Sequence, residues 1–62
     1  MYAELDRVRL KDGRDGFIVY VLEAGVAYLF EYATPHGRHR YEEILVYESD
    51  IEGVSGPNVA DT

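Results

Sequence analysis

Short strand-like segments separated by turn residues dominate this sequence and limit it to a small all-β fold. Each segment combines β-branched and aromatic residues, and apolar side chains recur with a period of two, which is typical of strands. The predicted strands cover residues 5–10, 17–22, 26–32, 40–47 and, more briefly, 52–54, with a single 3-10 turn at 48–51. Five short strands joined by tight turns predict a small SH3-like barrel.

The length sets the number of domains and the size of the core. A chain of 62 residues is one small domain, predicted here at 1–54, followed by a flexible tail at 55–62 in which no period is visible. Domains of this size have small cores and often rely on disulfides, a metal or a partner subunit. The chain has no cysteine, which excludes disulfides and thiolate metal sites.

The predicted strands are apolar on both faces, which is unusual for a free-standing barrel. A period of two assigns an inward set: Val8, Leu10, Phe17, Val19, Val21, Val26, Tyr28, Phe30, Ile44, Val46 and Ile51. The opposite face then carries Ile18, Tyr20, Leu22, Leu29, Leu45 and Tyr47. An exposed apolar patch marks an interaction surface.

We therefore expect a protein interface, formed with a protein partner or as a homodimer, by Ile18, Tyr20, Leu29, Leu45 and Tyr47. Two alternatives remain open at this point. The tail or a loop of the same chain could cover the patch. The assignment of faces could also be displaced by one residue.

Charge is distributed unevenly along the chain. The net charge is −6, and the six basic residues all precede Tyr41, where six acids balance them. The rest of the chain carries six acids and no base, so the excess lies in the C-terminal third. An acidic chain repels phosphate backbones at long range, which makes nucleic acid an unlikely partner class. The alternative function is a nucleic-acid-binding barrel with a basic rim formed by Arg7, Arg9, Arg14, Arg38 and Arg40.

No pattern of catalytic or metal-binding residues is recognisable. A turn is predicted at 35–37. His36 and His39, in and just beyond it, are three residues apart, and side chains at that spacing in a turn or extended segment do not reliably converge on one ion. Glu42 and Glu43 alternate faces on a strand, so they cannot act as an acid/base pair. We expect no enzyme activity, no cofactor, no metal and no small-molecule substrate.

Membrane insertion and export are also not predicted. The longest apolar runs, 17–22 and 26–30, are too short to cross a bilayer. The N-terminal residues have neither the basic start nor the apolar run of a signal peptide. A cytoplasmic location is expected.

Several core and turn motifs occur in an order that is similar to a known family. They are Leu5-Asp6-Arg7-Val8-Arg9-Leu10, Asp15-Gly16-Phe17-Ile18-Val19-Tyr20-Val21-Leu22, Gly25-Val26-Ala27-Tyr28-Leu29-Phe30-Glu31-Tyr32 and Glu48-Ser49-Asp50-Ile51. This order resembles small uncharacterised bacterial proteins with an SH3-like barrel and, more weakly, the KOW modules of ribosomal and transcription-elongation proteins. The resemblance implies a fold and no particular activity. The loop at 11–15 departs from the KOW pattern, because two acids there cancel two bases.

Overall fold

The computed structural model describes residues 1–34 and 40–55. Its elements are β1 (Arg7–Leu10), β2 (Asp15–Glu23), β3 (Ala27–Ala33), β4 (Tyr41–Tyr47), the 3-10 helix η1 (Glu48–Asp50) and β5 (Ile51–Val54). The all-β prediction is confirmed, including the 3-10 turn before the last strand. The turn predicted at 35–37 lies outside the described residues, as does all of the predicted tail except Ser55.

The strands form one antiparallel sheet in the order β4-β3-β2-β1-β5. Strands β1 to β4 pair with their neighbours in the chain, and β5 returns to pair with the other side of β1. Strands β4 and β5 are therefore the two edges of the sheet, and η1 joins them directly. The sheet is open within the described ranges, so the predicted barrel is not confirmed.

The core lies on one side of this sheet. It consists of Val8, Leu10, Ile18, Tyr28, Phe30, Val46 and Ile51. All of these except Ile18 were predicted to face inward. Val21 and Ile44, also predicted inward, are partly buried against the core. Val26 was predicted inward but lies in the turn between β2 and β3, where it is exposed.

A β-bulge in β2 changes which alternate residues face the core. Ile18 and Tyr20 pair with consecutive residues of β3, so Val19 is an extra residue in the ladder. Such a bulge breaks the period of two, because it inserts one residue without a partner. The predicted faces are consequently wrong for Phe17, which is exposed, and for Ile18, which is fully buried.

Two glycines permit the path of the chain around β2. Gly13 adopts a φ of +100° in the turn after β1, a conformation that costs glycine little. Gly16 was predicted to belong to this turn, but it lies inside β2 and is buried. A Cβ atom on Gly16 would lie 2.2 Å from the carbonyl oxygen of Glu31, so the close approach of β2 and β3 requires glycine there.

Three chain segments meet at the buried hydroxyl of Tyr28. It accepts hydrogen bonds from the backbone N–H groups of Tyr2, at 3.2 Å, and Gly25, at 3.1 Å. It donates to the carboxylate of Glu48. Burial, together with this bond, raises the pKa of Tyr28, and the same bond lowers the pKa of Glu48. The hydroxyl thereby ties the N-terminal segment and the β2–β3 turn to η1.

Candidate functional site

The side of the sheet that faces away from the core is the outer face. Its residues follow from the strand pairing, because directly paired residues project to the same side. They are Arg7 and Arg9 on β1, Asp15, Phe17 and Tyr20 on β2, Ala27, Leu29, Glu31 and Ala33 on β3, and Tyr41, Glu43, Leu45 and Tyr47 on β4.

An apolar row crosses three strands of the outer face. Tyr20 pairs with Leu29, and Leu29 pairs with Leu45. Tyr20 is 53% exposed and Leu45 is 49% exposed, whereas Leu29 between them is partly buried. Tyr47, paired with Ala27 in the next row, is 50% exposed. These side chains form an apolar patch of the kind that interaction surfaces present.

Four of the five predicted interface residues lie on this face, and Ile18 does not. Ile18 has no exposed surface and pairs with Phe30 in the core. It therefore cannot contact a partner while the domain is folded. Leu22, placed on the same face by the sequence pattern, lies at the second irregularity of β2 and is 49% exposed.

Phe17 is an exposed outer-face residue that the sequence pattern missed. It pairs with Arg7 on one side and Glu31 on the other. Residues 17–22 are apolar at every position, so either alternate set satisfies the core. The sequence contains no signal that marks the bulge.

A second row of the outer face is charged at both ends. Arg7 pairs with Phe17, Phe17 with Glu31, and Glu31 with Glu43. The β1 end of the row is basic, and the β3–β4 end is acidic. Like charges directly opposite each other on neighbouring strands are destabilising. Within residues 1–34 and 40–55, no basic group forms an ion pair with Glu31 or Glu43.

Asp15, the first residue of β2, binds both arginines of β1. Nε of Arg7 lies 3.1 Å from Oδ1, and Nη2 of Arg9 lies 3.5 Å from Oδ2. The hydroxyl of Ser55 donates to the same carboxylate at 2.9 Å. Partial burial raises the pKa of Asp15, but the bonds from Ser55 and Arg7 outweigh it and bring the net pKa below its ordinary value.

Arg14 forms a separate pair in the turn between β1 and β2. Its guanidinium donates to Asp12 at 2.8 Å and lies 4.9 Å from the centre of the Tyr32 ring. The hydrogen bond between Arg14 and Asp12 raises the pKa of Arg14 and lowers that of Asp12. The charge of Arg14 is thus balanced within its own turn.

Arg40, the other described arginine of the predicted basic rim, forms no ion pair with a described residue. Arg40 is exposed just before β4, and its carbonyl accepts a hydrogen bond from the N–H of Thr34. Arg38, like His36 and His39, lies outside the described residues. Among the described arginines of the rim, Arg7 and Arg9 are the two that bind one partner, the carboxylate of Asp15.

Glu42 and Glu43 project to opposite sides of β4, as predicted. The carboxylate of Glu42 accepts a hydrogen bond from the Tyr32 hydroxyl at 3.1 Å. In the described part of the chain, no cluster of three or more metal-ligating side chains occurs. The described helical segment is also too short to span a membrane.

No family model, curated protein or solved structure matches the chain significantly. The resemblance to SH3-like-barrel proteins therefore rests on the sequence motifs alone.

Proposed function

We propose that this protein is a non-enzymatic protein-interaction module that self-associates as a homodimer through its outer face. The observation that carries the proposal is the row of Tyr20, Leu29 and Leu45, whose ends are each about half exposed on adjacent strands. Burying such a row against a second apolar surface is favourable by about 25 cal/mol for each Å² removed from water. A domain of this size has only a small core of its own, so an interface adds substantially to its buried apolar area.

The chemistry of the row suits an interface. Tyrosine combines a large apolar ring with a polar hydroxyl, and it is enriched at protein interfaces. Tyr20, Leu29 and Leu45 lie on hydrogen-bonded strands rather than on loops, so little loop entropy is lost on association. Both features favour a defined protein surface over nonspecific adhesion.

For the fold, we propose that the open sheet is an SH3-like barrel whose curvature brings its two edges close. Two features support this. The last strand lies beside the first, and η1 connects the edge strands β4 and β5 without a long loop. The backbone N–H of Lys11, just after β1, donates to the carbonyl of Asp50 at 2.9 Å, which extends the pairing of β1 and β5 to the last residue of η1.

Sedimentation equilibrium tests the proposed dimer. We expect the wild-type chain to have the mass of a dimer. Leu45→Glu places a charge at the β4 end of the apolar row and should give a folded monomer. The matched control is Val54→Glu, which adds the same charge to an exposed residue of β5 and should leave the dimer intact. Circular dichroism establishes that both variants are folded.

Two results would overturn the proposal. One is a wild-type monomer at about 1 mM, where even an association free energy of about 4 kcal/mol would be visible. The other is equal dissociation by Leu45→Glu and Val54→Glu, since the outer face would then have no special role.

The nucleic-acid alternative has its own test. Binding of labelled RNA or DNA at low salt, with a steep loss as salt is raised, would favour it over the dimer. The ion pairs of Arg7, Arg9 and Arg14 with aspartates speak against it, because they reduce the positive charge that phosphates would meet.

A further inference from the structure

The charged row of the outer face is self-complementary. It is basic at Arg7 on β1 and acidic at Glu31 and Glu43 on β3 and β4. A second copy turned by a half rotation presents the same row in reverse order. The basic end of each copy then lies opposite the acidic end of the other.

We propose that two copies pack outer face to outer face about a two-fold axis that runs parallel to the strands, between β2 and β3. Strand β1 of each copy then lies across from β4 of the other, and Arg7 meets Glu43 of the second copy. In the apolar row, Tyr20 packs against Leu29 of the second copy. This arrangement rests on the proposed function and specifies the geometry of its dimer.

The charges on the outer face disfavour two other axes. An axis along β3 would place Glu31 opposite Glu31 of the second copy, and like charges in an interface are costly. An axis perpendicular to the strands would place each strand opposite itself, so Arg7 would not approach Glu43. The chosen axis forms the Arg7–Glu43 contact twice, because a two-fold interface repeats every contact.

Arg7 has donors left for such a contact. It uses only Nε to bind Asp15, and its side chain is 48% exposed. Guanidinium carries five N–H donors, so its two terminal nitrogens can bind a second carboxylate. If Arg7 turns toward the second copy, Arg9 and Ser55 still bind Asp15. Glu43 is exposed and lies directly opposite Glu31, so a cation there relieves repulsion within each copy.

Charge reversal tests this contact between copies. Arg7→Glu places an acid opposite Glu43 twice in its homodimer, and Glu43→Arg places two bases opposite each other twice. We expect each variant alone to dissociate at least about tenfold more readily than the wild type. An equimolar mixture of the two variants restores both opposite-charge contacts, so it should form a heterodimer that fluorescence energy transfer between labelled copies detects.

The control is Glu52→Arg, which makes the same charge change as Glu43→Arg at an exposed residue of β5, the edge strand farthest from β4. It should dimerise at least as well as the wild type. Arg7→Glu also faces Asp15 and could lose its fold. A double-mutant cycle therefore uses the milder changes Arg7→Gln and Glu43→Gln. The double variant should weaken the dimer clearly less than the sum of the two single effects on the free energy of dimerisation.

The outcomes separate the geometry from the function. Charge-reversed variants that dimerise like the wild type, or a mixture that stays monomeric, overturn this arrangement. If the wild type still dimerises and Leu45→Glu still dissociates it, the proposed function survives. A wild-type monomer at about 1 mM removes both proposals.

Discussion

The hydroxyl of buried Tyr28 donates a hydrogen bond to the carboxylate of Glu48, twenty residues further along the chain. Tyr28 lies on β3, whereas Glu48 begins η1, the connection between the two edge strands. Because the hydroxyl also accepts two backbone N–H groups, it is a single atom on which three segments depend. Removing the hydroxyl takes a hydrogen-bond partner away from the N–H groups of Tyr2 and Gly25 and from the carboxylate of Glu48.

Tyr28→Phe should lower the free energy of unfolding by about 1–3 kcal/mol, the usual cost of leaving buried polar groups unpaired. Urea denaturation measures this. Tyr41→Phe is the matched control, because Tyr41 is 62% exposed and its hydroxyl has no described partner. A loss no larger than that of the control would show that the Tyr28 network does not stabilise the fold.

Tyr28 should also make the stability of the fold depend on pH in the alkaline range. The pKa of Tyr28 is raised in the folded state, so its contribution is complete below the ordinary value of 10.0 and is lost as pH rises through the folded value. Above pH 10.0, wild-type stability should therefore fall more steeply than that of Tyr28→Phe. Parallel slopes in denaturation experiments at alkaline pH would contradict this.

Asp15 should make the stability of the fold depend on pH in the acidic range. Its pKa is lowered in the folded state, so its contribution is complete above the ordinary value of 3.8 and is lost as pH falls through the lower folded value. Denaturation at a series of acidic pH values should give a shallower loss of stability for Asp15→Asn than for the wild type. Equal slopes for Asp15→Asn and the wild type would contradict this.

Gly16→Ala should destabilise the domain by about 1–3 kcal/mol, the typical cost of overpacking. The added methyl group meets the carbonyl oxygen of Glu31. Gly53→Ala is the control, since a Cβ there has no neighbour within 4 Å, and it should change stability by less than about 0.5 kcal/mol. Equal effects on the melting temperature would mean that β2 and β3 are further apart than described.

Truncation of two neighbours in β2 tests the bulge. Ile18→Ala should cost about 2–5 kcal/mol, because it leaves a cavity in the core. Phe17→Ala removes a larger side chain but one that is 47% exposed, and it should cost less than Ile18→Ala. Denaturation of the monomeric Leu45→Glu background keeps dimer contacts out of the comparison. If Phe17→Ala cost more than Ile18→Ala, then Phe17 rather than Ile18 would face the core, as a strict period of two predicts.

The sequence by itself determined the number of strands, their approximate bounds and the 3-10 turn. Those features depend on local chemistry, in which β-branched and aromatic runs alternate with glycine and proline. It also predicted most of the core, because strands β1, β3 and β4 keep a regular period of two. The outer-face positions of Leu29, Leu45 and Tyr47 followed from the same alternation, whereas Tyr20 reaches this face because of the bulge at Val19.

Only the tertiary structure decided between Phe17 and Ile18. Every residue from 17 to 22 is apolar, so the local pattern accepts either face, and the choice depends on how β2 pairs with β3 around Val19. The tertiary structure also decided which charged residues lie next to each other. That Arg7 and Arg9 share Asp15, and that Glu31 lies opposite Glu43, are consequences of strand pairing between residues distant in sequence.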